Sequence, residues 1–108
     1  MSLYAEYLRE RTSDEILETS RGFATYRYLD QTVYIVDIYV VPQFRQTGEA
    51  SQMADAIAKE AKEKGCVKMI GSVVPSSRGS TNSVKVLLAY GMKLASSGQD
   101  FILFEKEL

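Results

Sequence analysis

Histidine and tryptophan are absent from this 108-residue chain, cysteine occurs once, at Cys66, and proline only twice. Each gap excludes some chemistry. Without histidine the chain lacks the commonest general base and metal ligand near neutral pH, so Ser–His and Cys–His catalysis are excluded and no metal is called for. A single cysteine makes no internal disulfide. Following Gly65 at the start of an apolar run, Cys66 reads as a small packed residue rather than a nucleophile. There is no long apolar segment, and Leu3, Tyr4, Tyr7 and Leu8 are interleaved with charges where the apolar core of a signal peptide would lie, so no membrane is expected and the expected compartment is the cytoplasm. Neither sign of charge dominates: 13 Lys and Arg stand against 14 Asp and Glu, a net charge of −1. With no basic run either, nucleic acid is not an expected partner.

What is present is a 45% hydrophobic chain, long enough for one core and too short for two, which predicts a single domain over residues 1–108 that folds alone or as a homodimer. Leu3, Tyr4, Tyr7, Leu8 and Arg11 recur at helical spacing, so residues 2–11 read as a short amphipathic helix capped by Ser2. Residues 16–19 suit a short strand or a helix tail equally. Residues 23–29 and 32–41, separated by Asp30 and Gln31, read as an antiparallel hairpin. In the second of these runs almost every residue is β-branched, aromatic or aliphatic, which predicts a central strand buried on both faces. Ala50, Met53, Ala54, Ile57, Ala58 and Ala61 then form one apolar stripe, with lysines and glutamates opposite and Gly65 at the end, as in an amphipathic helix. Residues 66–74 are a second apolar strand, expected parallel to the first through a right-handed crossover. After a polar loop come a helix over 82–90 closed by Gly91, and a last strand over 101–107 preceded by Ser96, Ser97 and Gly98.

The most informative stretch joins the central strand to the helix that follows. Asp37 is the one charge in the strand, Pro42 ends the ladder for want of an N–H, and Gly48 brings main-chain amides close to whatever lies above them. Strand, glycine turn and helix N-terminus together aim unpaired N–H groups and the positive end of a helix dipole at one point, which suits a phosphate or pyrophosphate. Burial of a carboxylate without a cation raises its pKa towards neutrality, which suits a base. For Asp37 a base and a buried residue satisfied by local hydrogen bonds are both open readings. Tyr26, Tyr28, Tyr34 and Tyr39 read mostly as core or sheet-face residues, with the lining of a ligand cleft open to one of them, and Arg78 reads as a solvated loop residue, with contact to a ligand as the lesser alternative.

Val40-Val41-Pro42 followed by Arg45-Gln46-Thr47-Gly48-Glu49-Ala50 resembles the signature of the GNAT N-acetyltransferase superfamily: an apolar strand ending Val-x-Pro, then Arg or Gln, two residues, Gly, one residue, and Gly or Ala. The resemblance implies a single mixed, mostly antiparallel α/β sheet with one central parallel βαβ unit, and acetyl-coenzyme A as co-substrate. It places the pyrophosphate on the turn Arg45, Gln46, Thr47, Gly48, Glu49 and Ala50, and the pantetheine arm on Tyr39, Val40 and Val41. Glu49 departs from the aliphatic residue usual there, and its charge favours the helix dipole but repels a phosphate if it points inward.

Further on the resemblance is looser. Counting back from Gly91 and Met92, Leu87 falls where the family often has the tyrosine that protonates the leaving thiolate, and leucine has no proton to give. Tyr90, three residues later, takes that role only in a shifted helix register, and Asn82 is the corresponding stand-in for the family's asparagine. The segment before the hairpin is short for the family, so the part that usually binds the acceptor is expected to be reduced. The resemblance thus implies acetyl transfer to an unidentified amine by direct attack in a ternary complex. Leu87, Glu49 and the short N-terminal segment favour the rival reading, a catalytically inactive acyl-coenzyme A-binding or protein-interaction module of the same fold.

Overall fold

The computed structural model describes residues 2–108, apart from the side chains of Ser80 and Asn82. Its frame is one six-stranded mixed sheet in the order β1-β2-β3-β4-β6-β5. Helix α1 (Leu3–Arg11) opens the chain, with the Ser2 hydroxyl accepting the Ala5 N–H at 3.0 Å and Ala5 and Leu8 buried. Strand β1 (Glu15–Glu18) settles the undecided segment as an edge strand antiparallel to β2 (Gly22–Leu29). β2 turns at Asp30 into β3 (Thr32–Val40), and after a single 3-10 turn at Pro42–Phe44 comes α2 (Glu49–Glu63). The expected stripe faces the sheet: Met53, Ala54, Ile57 and Ala61 are buried.

β4 (Lys68–Val73) lies parallel to β3, giving the expected βαβ unit with β3 between β2 and β4. Cys66 is buried just ahead of it, as a packed residue. Helix α3 (Ser80–Ala89) starts two residues earlier than the glycine-bounded reading placed it. The last segment is a hairpin, not a lone strand: β5 (Lys93–Gly98) pairs with β6 (Phe101–Glu107), and β6 inserts beside β4. The sequence of β5, Lys-Leu-Ala-Ser-Ser-Gly, has little β-branched or aromatic character. It is held as an exposed edge by its ladder to β6 rather than by its own propensity.

β3 departs from the expected doubly buried strand. Tyr26 pairs with Ile35 and Thr25 with Asp37, so Val36 has no counterpart on β2 and forms a bulge. Paired residues share a face. Ile35 therefore points with Tyr26, Val33 and Ala24 towards α2, whereas Asp37 and Tyr39 point with Thr25 and Phe23 to the opposite side, where α1 lies. Strict alternation along β3 would place Ile35, Asp37 and Tyr39 on one face, and that single extra residue turns Asp37 and Tyr39 away from Ile35. Val36, Asp37 and Tyr39 are exposed.

Candidate functional site

Parallel pairing of β3 with β4 runs from Thr32 opposite Lys68 to Ile35 opposite Gly71 and stops there, although β3 continues to Val40 and β4 to Val73. Beyond Ile35 the strands part. The gap opens into a cleft of about 690 Å³ lined by the end of β3, the turn before α2, Gly71 to Val73 of β4, and one side of α3. The β3 main chain over residues 36–40 thus presents N–H and C=O groups to the cleft without a parallel partner.

Two helices start at this cleft. α2 has Gly48 as its N-cap, at φ 85° in the left-handed region, with no capping side chain. Its first intrahelical bond is from Gln52 N–H to Gly48 C=O, so the amides of Glu49, Ala50 and Ser51 are left for an external acceptor, and all three residues line the cleft. Gln46, at φ 64°, takes a second left-handed position, and the Thr47 hydroxyl bonds the Phe44 carbonyl at 2.5 Å. α3 begins in the same way: Gly79 caps it at φ 79° without a side-chain cap, and Arg78, Gly79 and Ser83 line the cleft. The loop before Gly79 is anchored at Ser76, whose N–H donates to Asp100 at 2.9 Å. Sequence reasoning found the first N-terminus and missed the second, for which the signal was Gly79 immediately before a polar helix start.

Of the residues expected to hold a ligand, Tyr39, Val40, Arg45, Gln46, Gly48, Glu49 and Ala50 line the cleft. Thr47 belongs to the turn but is not part of the lining, and Val41 is spent on the fold, its N–H donating to the Arg21 carbonyl at 2.8 Å. Asn82 falls within α3, and its side chain lies outside the described residues. Arg45 braces the strand end: its Nε donates to the Val40 carbonyl at 2.8 Å, and its guanidinium lies 5.6 Å from the Tyr39 ring centre. Glu49 is turned aside. Its carboxylate lies 3.7 Å from Arg21, with 12% of the side chain exposed, and Arg21 in turn lies over the Phe44 ring. Lys85 and Ser72, which sequence reasoning passed over, also line the cleft, together with Leu87, whose side chain covers Gly71.

Two expectations about proton-transfer groups are corrected. Asp37 lines the cleft but is exposed rather than buried, so burial supplies no reason for it to act as a base. Its carboxylate instead stands without a hydrogen bond or ion pair among the described residues. Tyr90 lies outside the cleft altogether. It caps the C-terminal end of α3, and its hydroxyl donates to Asp55 of α2 at 2.8 Å while its carbonyl accepts from Lys106 Nζ at 3.0 Å. Burial, then the bond to Asp55, pushes its phenol well above the usual tyrosine range, so it holds its proton against donation.

The profile of a family described as "Acetyltransferase (GNAT) family" matches residues 7–85. Among solved structures, the PaiA N-acetyltransferase of Thermoplasma acidophilum in complex with coenzyme A is similar with a TM-score of 0.77 at 16% identity, over 95% of this chain and 67% of that one. An acetyltransferase of Bacillus subtilis in complex with coenzyme A gives 0.71 at 15% identity, over 95% and 83%. Nourseothricin acetyltransferase gives 0.70 at 16% identity, over 81% of this chain and 57% of that one.

Proposed function

This chain belongs to the acetyltransferase (GNAT) family, and on that footing we propose that it binds acetyl-coenzyme A in the β3–β4 cleft and transfers the acetyl group to an amine by direct attack in a ternary complex. The observation that carries the reading is the convergence of two helix N-termini without side-chain caps, at Gly48 and Gly79, on a gap between parting parallel strands. Their free amides and dipoles favour a dianionic pyrophosphate, with Arg45, Arg78 and Lys85 adding positive charge at the rim. The amide-bearing pantetheine arm suits the unpaired main chain of residues 36–40, which can hydrogen-bond it as a neighbouring strand would. That two structurally similar proteins were solved with coenzyme A agrees with this assignment.

In the proposed reaction an amine nitrogen attacks the thioester carbonyl, whose developing negative charge is held by a main-chain N–H at the end of β3. The C–S bond breaks, the nitrogen loses its proton to Asp37, directly or through water, and the thiolate regains a proton from solvent. Asp37 is assigned the base because it lines the cleft and no other described group occupies its carboxylate. The geometry of Tyr90 favours solvent over a side-chain acid for the thiolate. That same geometry, with Leu87 in the cleft, also supports a second reading, a coenzyme A-binding module without turnover.

Calorimetric titration and melting in coenzyme A test the binding step. A ligand at a hundred times its dissociation constant stabilises a fold by about 2.7 kcal/mol, and Gly48→Val should remove the shift, because the left-handed backbone at Gly48 resists a β-branched residue. Unchanged melting of the parent in millimolar coenzyme A would sink the assignment. Asp37→Asn then separates the two readings. For an enzyme it should lower turnover by roughly a hundredfold or more with coenzyme A affinity retained, whereas a binding module shows no turnover in the parent to lose.

A further inference from the structure

The acceptor side of the cleft carries a feature that the coenzyme reading does not use. On the face opposite α2, Phe23 and Tyr39 stack across β2 and β3 with ring centres 5.7 Å apart and planes at 29°. Tyr4 of α1 meets Phe23 edge-on at 6.0 Å. These rings form a ledge, yet it is only partly covered: Tyr4 is 45% exposed and Tyr39 42%. The bulge at Val36 puts Asp37 on this same face, one side-chain alternation from Tyr39, a separation of about 7 Å along a strand.

The arginines beside the ledge are committed. Arg27 is paired with Asp14 at 2.6 Å, Arg21 with Glu49, and Arg45 is bonded to the Val40 carbonyl and lies against Tyr39. What remains on this face is the carboxylate of Asp37 at the cleft, followed by aromatic surface leading across the strands to the exposed Glu18 opposite Phe23. A cation with an apolar body fits that pattern. The ammonium nitrogen sits at Asp37 and releases one proton to solvent to become the nucleophile, leaving Asp37 to take the second as the amide forms, while the body lies on Phe23 and Tyr4. A linear polyamine is the competing acceptor, since a second ammonium beyond the rings would meet the exposed carboxylate of Glu18, paired opposite Phe23 on the same face, and its rate is the comparison that decides between the two.

From this geometry we infer that the acceptor is a primary amine joined by a short alkyl tether to an aromatic or comparably apolar body, with Phe23, Tyr39 and Tyr4 as its specificity surface. The inference rests on the acetyl-transfer reading above and narrows it. Placing the body on the ledge costs no rearrangement, because α1 already holds Tyr4 beside Phe23 through the buried Ala5 and Leu8.

The test compares 2-phenylethylamine, ethylamine and a linear triamine as acceptors, with release of the coenzyme A thiol as the readout and coenzyme A binding measured by calorimetry on the same protein. The expected result is a kcat/KM for 2-phenylethylamine at least tenfold above that of either other amine, expressed mainly through KM. Tyr4→Ala should reduce the phenylethylamine-to-ethylamine ratio roughly three- to tenfold, the scale of one aromatic contact. Tyr7→Ala is the control. It removes an exposed ring from the same helix that contacts Arg11 rather than the ledge, and it should leave the ratio in place. Three results each overturn the inference alone: comparable kcat/KM for all three amines, preference for the triamine, or a ratio unmoved by Tyr4→Ala. Coenzyme A binding without transfer to 2-phenylethylamine does the same, while failure to bind coenzyme A overturns the underlying site assignment together with the inference.

Discussion

Glu49 occupies the first position of α2, where a carboxylate favours the dipole but would repel a bound phosphate, and Arg21 decides which effect prevails. Removing that partner should release the carboxylate towards the cleft. Arg21→Ala is therefore expected to weaken coenzyme A binding a few-fold, within the range of ~1 kcal/mol for a partly exposed ion pair. The double substitution Arg21→Ala with Glu49→Gln should recover most of the loss, and a calorimetric double-mutant cycle checks it. Gly22 acts from the same corner by a different route. A Cβ there would lie 2.0 Å from the Tyr39 carbonyl oxygen, a backbone atom that cannot swing away. Gly22→Ala should force β2 and β3 apart beside the cleft and lower both melting temperature and coenzyme A affinity, whereas Gly98→Ala, where a Cβ meets open space, should cost little.

Among the elements, α2 is fastened to the sheet by more than its apolar stripe. Tyr26 and Tyr28 of β2 donate their hydroxyls to the two oxygens of Glu60 at 3.0 and 2.7 Å, and Lys64 lies 3.5 Å from the same carboxylate. Burial pushes the Glu60 carboxyl up, but the two hydroxyls and Lys64 outweigh it and leave it below its ordinary value of 4.5. A carboxyl held low in the fold contributes stability that is present above the unfolded value and is lost as pH falls through the folded one. Stability should thus decline below about pH 4.5, and Glu60→Gln should flatten that part of a melting curve measured against pH. Both tyrosines are held above their ordinary value of 10.0, by burial first and then by Glu60. For them the sign is reversed, and their contribution fades as pH rises beyond about 10.

The other helix on the cleft is less firmly held. None of the described side chains of α3 is fully buried, whereas α2 buries four. Its amides should exchange with solvent faster than those of α2 in the free protein, and slow on addition of coenzyme A as the ligand bridges both helix N-termini. Equal protection of the two helices without ligand would count against this.

For the whole molecule, the two halves of the site meet over one core. Val33 and Met69 are paired across the parallel strands, both completely buried, with Met53 and Ile57 of α2 packed in the same cluster. Met69→Ala leaves a cavity under the point where β3 and β4 begin to part, and should cost ~2–5 kcal/mol of stability, read from the denaturant midpoint. Because the parting of the strands forms the cleft, coenzyme A affinity should fall in the same variant even under conditions where it remains folded.

Local pattern in the sequence determined much of this protein. The stripe from Ala50 to Ala61, the hairpin around Asp30, the cap at Ser2 and the Val-x-Pro lead into Gly48 were legible because helical and strand periods, turn residues and caps depend on near neighbours in the chain. They located the βαβ unit and one of the two helix starts that line the cleft. Tertiary structure alone decided the rest. The bulge at Val36 exists only in relation to β2, and by reversing one alternation it moved Asp37 from an expected core position to the face that carries the aromatic ledge. β5 is a strand because β6 supplies its ladder, a partnership that the low β-propensity of its residues does not announce. Tyr90 lies near the family's acid in sequence, but its hydroxyl is claimed by Asp55, 35 residues away on another helix. Side-chain direction and strand register are set by whatever lies opposite after folding, and a one-dimensional pattern does not contain that partner.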